Sequence, residues 1–202
     1  RVNQMINSIP LVVTGKLDGT MCSQVQIDAM RAIDLAMEHL IDLGHKEIAL
    51  VGGRMDVLAT FEKLQRYKQI LNNYQLDYHE EYVATGGYDY ETGYDRMNEL
   101  FDCSRIPTAV IAINDYAAAG VMRSVMEHGR RVPEDISVVS YDNTKITELL
   151  SPKLTSVDYD YEDFGQRLVE TAIAAISGKA MPRIQLLTPE LVVRESTAAV
   201  KE

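Results

Sequence analysis

Four short polar clusters each stand directly after a β-rich apolar run: Gly53 to Asp56, Gly86 to Asp89, Asn114-Asp115, and Tyr141-Asp142-Asn143. Each holds an Asp or Asn, and the second and fourth add a Tyr. Carboxylates and amides accept from and donate to hydroxyl groups, and an aromatic ring stacks on the C–H face of a sugar. The shared chemistry is that of a polyol site. Taken singly, Asp56, Asp115 and Asp142 fit as well as helix caps or turn formers. Their coincidence at four strand ends is what points to a site. Signatures of catalysis are wanting. Gly52-Gly53-Arg54 lacks both phosphate-cradling spacing and a Lys-Ser/Thr pair, and no Gly-x-Ser-x-Gly elbow occurs. His39, His45, His79 and His128 are not spaced as metal ligands, so no enzyme, metal or cofactor is expected. His45, just after Gly44, is expected to satisfy carbonyls at a helix end. Met30, Met37, Met122 and Met126 read as core. The acidic run Asp158 to Asp163 reads as a solvated hinge face.

These clusters need a scaffold, and the hydrophobic pattern supplies one. Ile33, Ala36, Met37, Leu40 and Ile41 recur at i, i+3, i+4, i+7 and i+8, one buried helical face that Asp28 can cap and Gly44 stops. Further helices are expected from Asp56 to about Asn73, from Tyr90 to Phe101, and from Asp115, as its cap, to Gly129. Strands are expected at Ile9 to Val13, Glu47 to Val51, Tyr82 to Thr85, Ala109 to Ile113 and Ile136 to Ser140, with Gly15 to Ser23 as a turn-like stretch. Strands separated by helices make βαβ units, hence a parallel sheet flanked by helices, with ligands beyond the carboxyl ends of the strands. After residue 145 the rhythm changes. A short strand at Leu154 to Val157 precedes a helix from Tyr161 to Ile176, with Phe164, Leu168, Ala172 and Ala175 inward. Two strands follow, Ile184 to Leu187 and Leu191 to Arg194. The chain leaves one lobe, visits another and returns.

Composition bounds the rest. The 202 residues are 46% apolar and 25% charged, which fits a globular protein with one good core or two small lobes. Twenty basic against thirty acidic side chains give a net charge of −10, so this chain is itself a poor binder of nucleic acid. Cys22 and Cys103 match no metal or redox spacing and read as buried reduced thiols of a cytosolic protein, with a lone disulfide as the alternative. Arg1 to Met5 lacks the apolar run of a signal peptide, and no stretch suits a membrane span.

Several motifs in order resemble the LacI/GalR family of transcriptional regulators. They are His39 to Gly53 with its Leu43-Gly44-His45 core, Pro107-Thr108-Ala109-Val110 through Asn114-Asp115 and Ala117 to Gly120, and Val132-Pro133-Glu134-Asp135-Ile136-Ser137-Val138-Val139 with Tyr141-Asp142. Pro152 to Val157 and Leu191 to Thr197 complete the set, so the resemblance spans residues 9 to 198.

The resemblance implies an α/β, periplasmic-binding-protein-like core of two lobes with parallel sheets flanked by helices, the N-terminal lobe being incomplete. Residues 1–27 and 159–187 would form the partial N-terminal lobe, and 28–158 with 188–202 the C-terminal lobe. The DNA-binding headpiece would be absent. A small sugar-like effector would bind between the lobes, with a transport-type periplasmic sugar-binding protein as the alternative. Implied effector contacts are Lys63, where the family carries Arg, with Tyr88, Asn114, Asp142, Tyr159 and Tyr161. Ser140 stands where the family has Gly. An implied homodimer surface takes in Ala119, Met122, Leu149 and Leu150. The whole would be cytoplasmic, meeting DNA only through the headpiece and no membrane.

Overall fold

The computed structural model describes residues 9–17, 19–179 and 182–201, so the leader reading at Arg1 to Met5 lies outside the described residues. The chain divides into two compact units, residues up to 28 with 159–189, and 29–158 with 190 onward.

The larger unit is a six-stranded sheet. Its strands are β3 (Ile48–Val51), β4 (Val83–Ala84), β5 (Ala109–Ala112), β6 (Ser137–Tyr141), β7 (Thr155–Asp158) and β9 (Glu190–Val192), in the order β4-β3-β5-β6-β7-β9. Every pairing is parallel except β7 with β9, the strand by which the chain re-enters this unit. Four of the helices are α1 (Ala29–Asp42), α2 (Leu58–Asn73), α3 (Tyr90–Phe101) and α4 (Asp115–Glu127), and a short α5 (Ile146–Leu149) follows β6. Residues alternate across the central strands. Val110, Ala112 and Val138 join Met97, Leu100, Val121 and Val125 of α3 and α4 in one core, whereas Ile111 faces a cavity that it shares with Ile33 of α1 and Leu64 of α2. All four residues of β5 are buried, as expected for a strand covered on both faces.

The smaller unit holds β1 (Val12–Thr14), β2 (Ser23–Ile27) and β8 (Ile184–Leu187), parallel in the order β1-β2-β8, with α6 (Tyr161–Ile176) packed on β1 and β2. Strand β2 was not expected; it begins at Ser23, the last residue of the stretch read as turn-like. Its pattern, Ser-Gln-Val-Gln-Ile, is polar at three of five positions, yet Gln24 is buried because its amide donates to Leu17 O at 2.8 Å and its oxygen accepts from Leu17 N–H at 2.9 Å. A satisfied buried amide costs little, and hydropathy alone does not register it. On α6 the expected inward set is only half buried, and Thr171 and Ala174 take the inside.

Two expected caps are also corrected. Asn114, not Asp115, caps α4, its side chain accepting from Ala117 N–H at 2.8 Å. Asp56 does not cap α2. It forms an ion pair with Arg54 instead, and Val57 occupies the cap without a side-chain bond. His45 is buried, but its ring meets Thr108, Ser137 and Ala198 O rather than carbonyls of the preceding helix. Met37 and Met122 are core as expected, whereas Met126 is 48% exposed. Cys22 and Cys103 are free thiols, the first buried and the second half-buried. Among the described residues no helix is long and apolar enough to cross a membrane.

Candidate functional site

Parallel strands deliver their carboxyl ends to one edge of the larger unit, and backbone bonds tie the loops there into a rim. Gly52 N–H donates to Ala84 O, Gly53 N–H to Gly87 O at 2.7 Å, and Gly86 N–H to Gly53 O. Gly52 and Gly53 both have positive φ, 87° and 81°, and a Cβ on Gly52 would stand 2.6 Å from Ile113. Glycine is required there by conformation and by space.

Tyr88 stands on this rim. Its hydroxyl lies 3.1 Å from Thr60 Oγ1 and accepts weakly from Arg54 N–H at 3.4 Å. Asn114 supports it from below, donating from Nδ2 to Tyr88 O at 2.7 Å. One donor and one acceptor of the Asn114 amide are thus spent on the scaffold, leaving one N–H and one lone pair for a ligand. Arg54, the guanidinium at this edge, is held in a two-point pair by Asp56 at 3.0 and 2.5 Å.

Lys63 lies one turn beyond Thr60 on α2. Its ammonium sits over the Tyr141 ring, 3.7 Å from the centroid, at a cavity of about 30 Å³ lined mainly by Ile33, Leu50, Val51, Leu64, Ile111 and Ile113. That volume suits a water or a methyl-sized group. Burial in these apolar surroundings pushes the Lys63 amine down to about 8, partly offset by the negative charge of Asp142. An arginine would offer a planar fork here, whereas the lysine presents a single charge.

A stability profile checks this placement. Between about pH 8 and the amine's ordinary 10.5, the folded chain binds fewer protons at Lys63 than the unfolded chain does. The Lys63 contribution to stability therefore rises with pH across that window. Above about pH 10 the buried phenols of Tyr67 and Tyr141, whose pKa values burial raises, act in the opposite sense. Melting temperatures from pH 7.5 to 9.5 should accordingly show a rise in the parent that Lys63→Met flattens. Parallel profiles would contradict the buried amine.

Asp142 completes the edge. It is half-buried, with φ at 98°, and Asn143 after it has φ at 47°, two consecutive non-glycine residues outside the usual backbone range. Asp142 N–H donates to Val157 O at 3.0 Å. Asn143 N–H donates to Ser156 Oγ, its Nδ2 to Asp158 Oδ2, and its Oδ1 accepts from Arg194 at 2.7 Å. Ser140 causes no disturbance: it is fully buried and donates to Asp115 at 2.6 Å.

The larger unit thus brings Lys63, Tyr88, Asn114 and Asp142 to one edge. Tyr159 and Tyr161 belong to the smaller unit, where their rings pack edge to face at 5.9 Å. Sequence reasoning missed Thr60, Thr144 and Ser156; each is a hydroxyl whose role depends on which elements become neighbours. Among the described residues no cluster of His, Cys, Asp and Glu is arranged to hold a metal ion. The residues of the expected dimer surface differ in exposure. Ala119 and Met122 are 7% and 2% exposed, with Met122 packed in the core, while Leu150 leans on that core and Leu149 is 81% exposed.

The profile of the periplasmic binding protein-like domain matches residues 37–197. The chain belongs to that family. Within it, this periplasmic-binding-protein-like chain is 34% identical over 192 residues to the HTH-type transcriptional regulator CelR of Thermobifida fusca, covering 93% of this chain and 56% of CelR. The structure of a CelR–cellobiose complex superposes with a TM-score of 0.84 at 34% identity, over 92% of this chain and 58% of that one. A LacI-family regulator from Enterococcus faecium with bound ribose gives 0.86 at 30% identity, over 95% and 72%. The recognised kinship with LacI-type regulators and the α/β binding-protein fold therefore both stand. The chain spans little more than half the length of CelR. The relatives are named as transcriptional regulators, not as enzymes or transport proteins.

Proposed function

We propose that this chain is the effector-sensing core of a LacI-type transcriptional regulator, and that its effector is a neutral sugar. The observation that carries the sugar reading is the strand-end edge: a carboxylate, an amide, a phenol ring and a single amine gathered at 141–142, 114, 88 and 63. That set matches hydroxyl groups and a C–H face. Two of the relatives are described with cellobiose and with ribose. A phosphorylated sugar fits less well. A phosphate needs several donors, and the Arg54 guanidinium is already engaged by Asp56, as that of Arg194 is by Asn143 and Leu154 O. In this reading the two units are the lobes of the effector core, Tyr159 and Tyr161 contribute from the smaller one, and DNA is met by a headpiece outside these residues. The setting is cytoplasmic. A thermal-shift screen of mono- and disaccharides with their phosphates tests this. A sugar at 100 times its dissociation constant stabilises by about 2.7 kcal/mol. At least one neutral sugar should shift the melt more than its phosphate; a screen in which only phosphates act, or nothing does, contradicts the reading.

The working assembly in this proposal is a homodimer whose contact includes Leu149. A leucine 81% exposed on an otherwise acidic molecule is suited to a two-fold contact in which it meets its own symmetry copy. Leu149→Asp should bury two unpartnered carboxylates near the axis, costing several kcal/mol of association. It should leave the fold intact, because the side chain is outside the core. Light scattering should report a dimeric parent and a monomeric variant. A monomeric parent or a dimeric variant would place the contact elsewhere.

A further inference from the structure

We propose that Asp115 is a positioning residue for Asp142: its buried carboxylate holds the Asp142–Asn143 turn in its left-handed conformation and so sets where the Asp142 oxygens stand. This rests on the reading of the strand edge as a sugar site. Asp115 is fully buried at the first position of α4, where it is not the cap. It accepts four hydrogen bonds: Ser140 Oγ at 2.6 Å and Ser156 Oγ at 2.8 Å on Oδ1, and Thr144 N–H at 2.6 Å and Thr144 Oγ1 at 2.8 Å on Oδ2. Burying a carboxylate is unfavourable unless its lone pairs are filled, and these four donors fill them.

What those donors have in common is the turn they surround. Ser140 lies two residues before Asp142 in β6, and Thr144 lies two residues after it. The Ser156 hydroxyl in β7 donates to Asp115 and accepts from Asn143 N–H, so the inner residue of the turn hangs on the same carboxylate at one remove. Two successive residues at φ of 98° and 47° persist only where the surroundings over-determine them. An amide at position 115 can accept on its oxygen alone and turns an N–H toward the other donors. With that oxygen kept on Thr144 N–H, the NH2 faces the Ser140 and Ser156 hydroxyls, and Ser156, which holds Asn143 N–H, loses the acceptor for its own proton; the support of Asn143 loosens, the turn relaxes toward ordinary φ, and the Asp142 carboxylate shifts with it. A role confined to holding the fold would not act through Asp142.

Two readings on the same proteins decide this. Hydrogen exchange of the ligand-free protein should quicken at residues 142–144 by about tenfold or more in Asp115→Asn, and by less in Ser140→Ala, with β5 unchanged. Calorimetric titration with cellobiose should show affinity lower by at least about tenfold for Asp115→Asn in the parent background. The same substitution should cost less than about twofold when Asp142 is already Ala. Equal losses in both backgrounds, or unchanged exchange in the turn, would overturn the proposal. If cellobiose does not bind the parent, the sugar reading fails for that probe and the exchange result alone decides on Asp115. If Asp115→Asn does not fold, Ser140→Ala carries both readings with the same expected signs.

Discussion

Asp142→Ala is expected to weaken sugar binding by about 1–3 kcal/mol, roughly five- to 150-fold, because the hydroxyls that met its carboxylate lose their acceptor in a half-buried site. The position has φ of 98°, where alanine is strained whatever its contacts. Asn tolerates such backbone better and keeps the outline of the side chain, so Asp142→Asn should melt closer to the parent while still binding more weakly. The pair separates lost recognition from lost shape. Calorimetry on both, against the sugar that shifts the parent melt most, is the check. Parent-like affinity in Asp142→Ala would remove Asp142 from the site.

The largest effect on stability is expected at Gly93 in α3. A Cβ there would lie 1.9 Å from Ala117 O, and one on Gly120 of α4 would lie 2.1 Å from Tyr90 O. The two helices therefore cross in backbone contact, and no rotamer change relieves an added methyl. Gly93→Ala must prise α3 from α4 and unpack Met97 and Leu100 from Val121 and Val125. A cost of about 3 kcal/mol or more follows, or a fall in melting temperature of roughly 6–12 °C at this chain length. Gly165→Ala in α6 is the control: its Cβ would meet nothing within 4 Å, and better helix propensity should stabilise slightly, by about 0.5–1 kcal/mol. Similar melts for the two variants would contradict the close crossing. The crossing also bears on the site, since α3 and α4 begin at the strand ends that present Tyr88 and Asn114.

The legible part of this fold was the part written in apolar periodicity and caps. Tyr90–Phe101, capped by Asp89 on Thr92 N–H, and Tyr161–Ile176 run as the pattern indicates. Ile184–Leu187 does too. Strand β2 escaped because three of its five residues are polar, and a buried Gln24 is decided by partners at Leu17 that hydropathy does not record. Gly93 and Gly120 carried a signal that went unread, since glycine inside a helix is costly without a packing reason. At the site, Tyr88, Asn114 and Asp142 could be placed from strand ends and resemblance together, because ligand sites of parallel sheets lie there. What Asp115 does could not. An Asp after a strand and before a helix reads as a cap, and only the lateral neighbourhood of β5, β6 and β7 reveals that Ser140 and Ser156 converge on it. Of the residues expected in a dimer patch, Met122 lies on the face of α4 that meets the core and Ala119 is buried beside it, a phase that spacing along one helix does not fix.

Amide chemical-shift mapping during titration with the sugar that most raises the parent melting temperature tests the central claim most directly. The largest shifts should fall at Gly52 to Asp56, Gly86 to Asp89, Asn114 and Tyr141 to Thr144, the loops that the carboxyl ends of β3 to β6 bring together. Shifts confined to other surfaces of the larger unit, with these four loops unmoved at saturation, would contradict it.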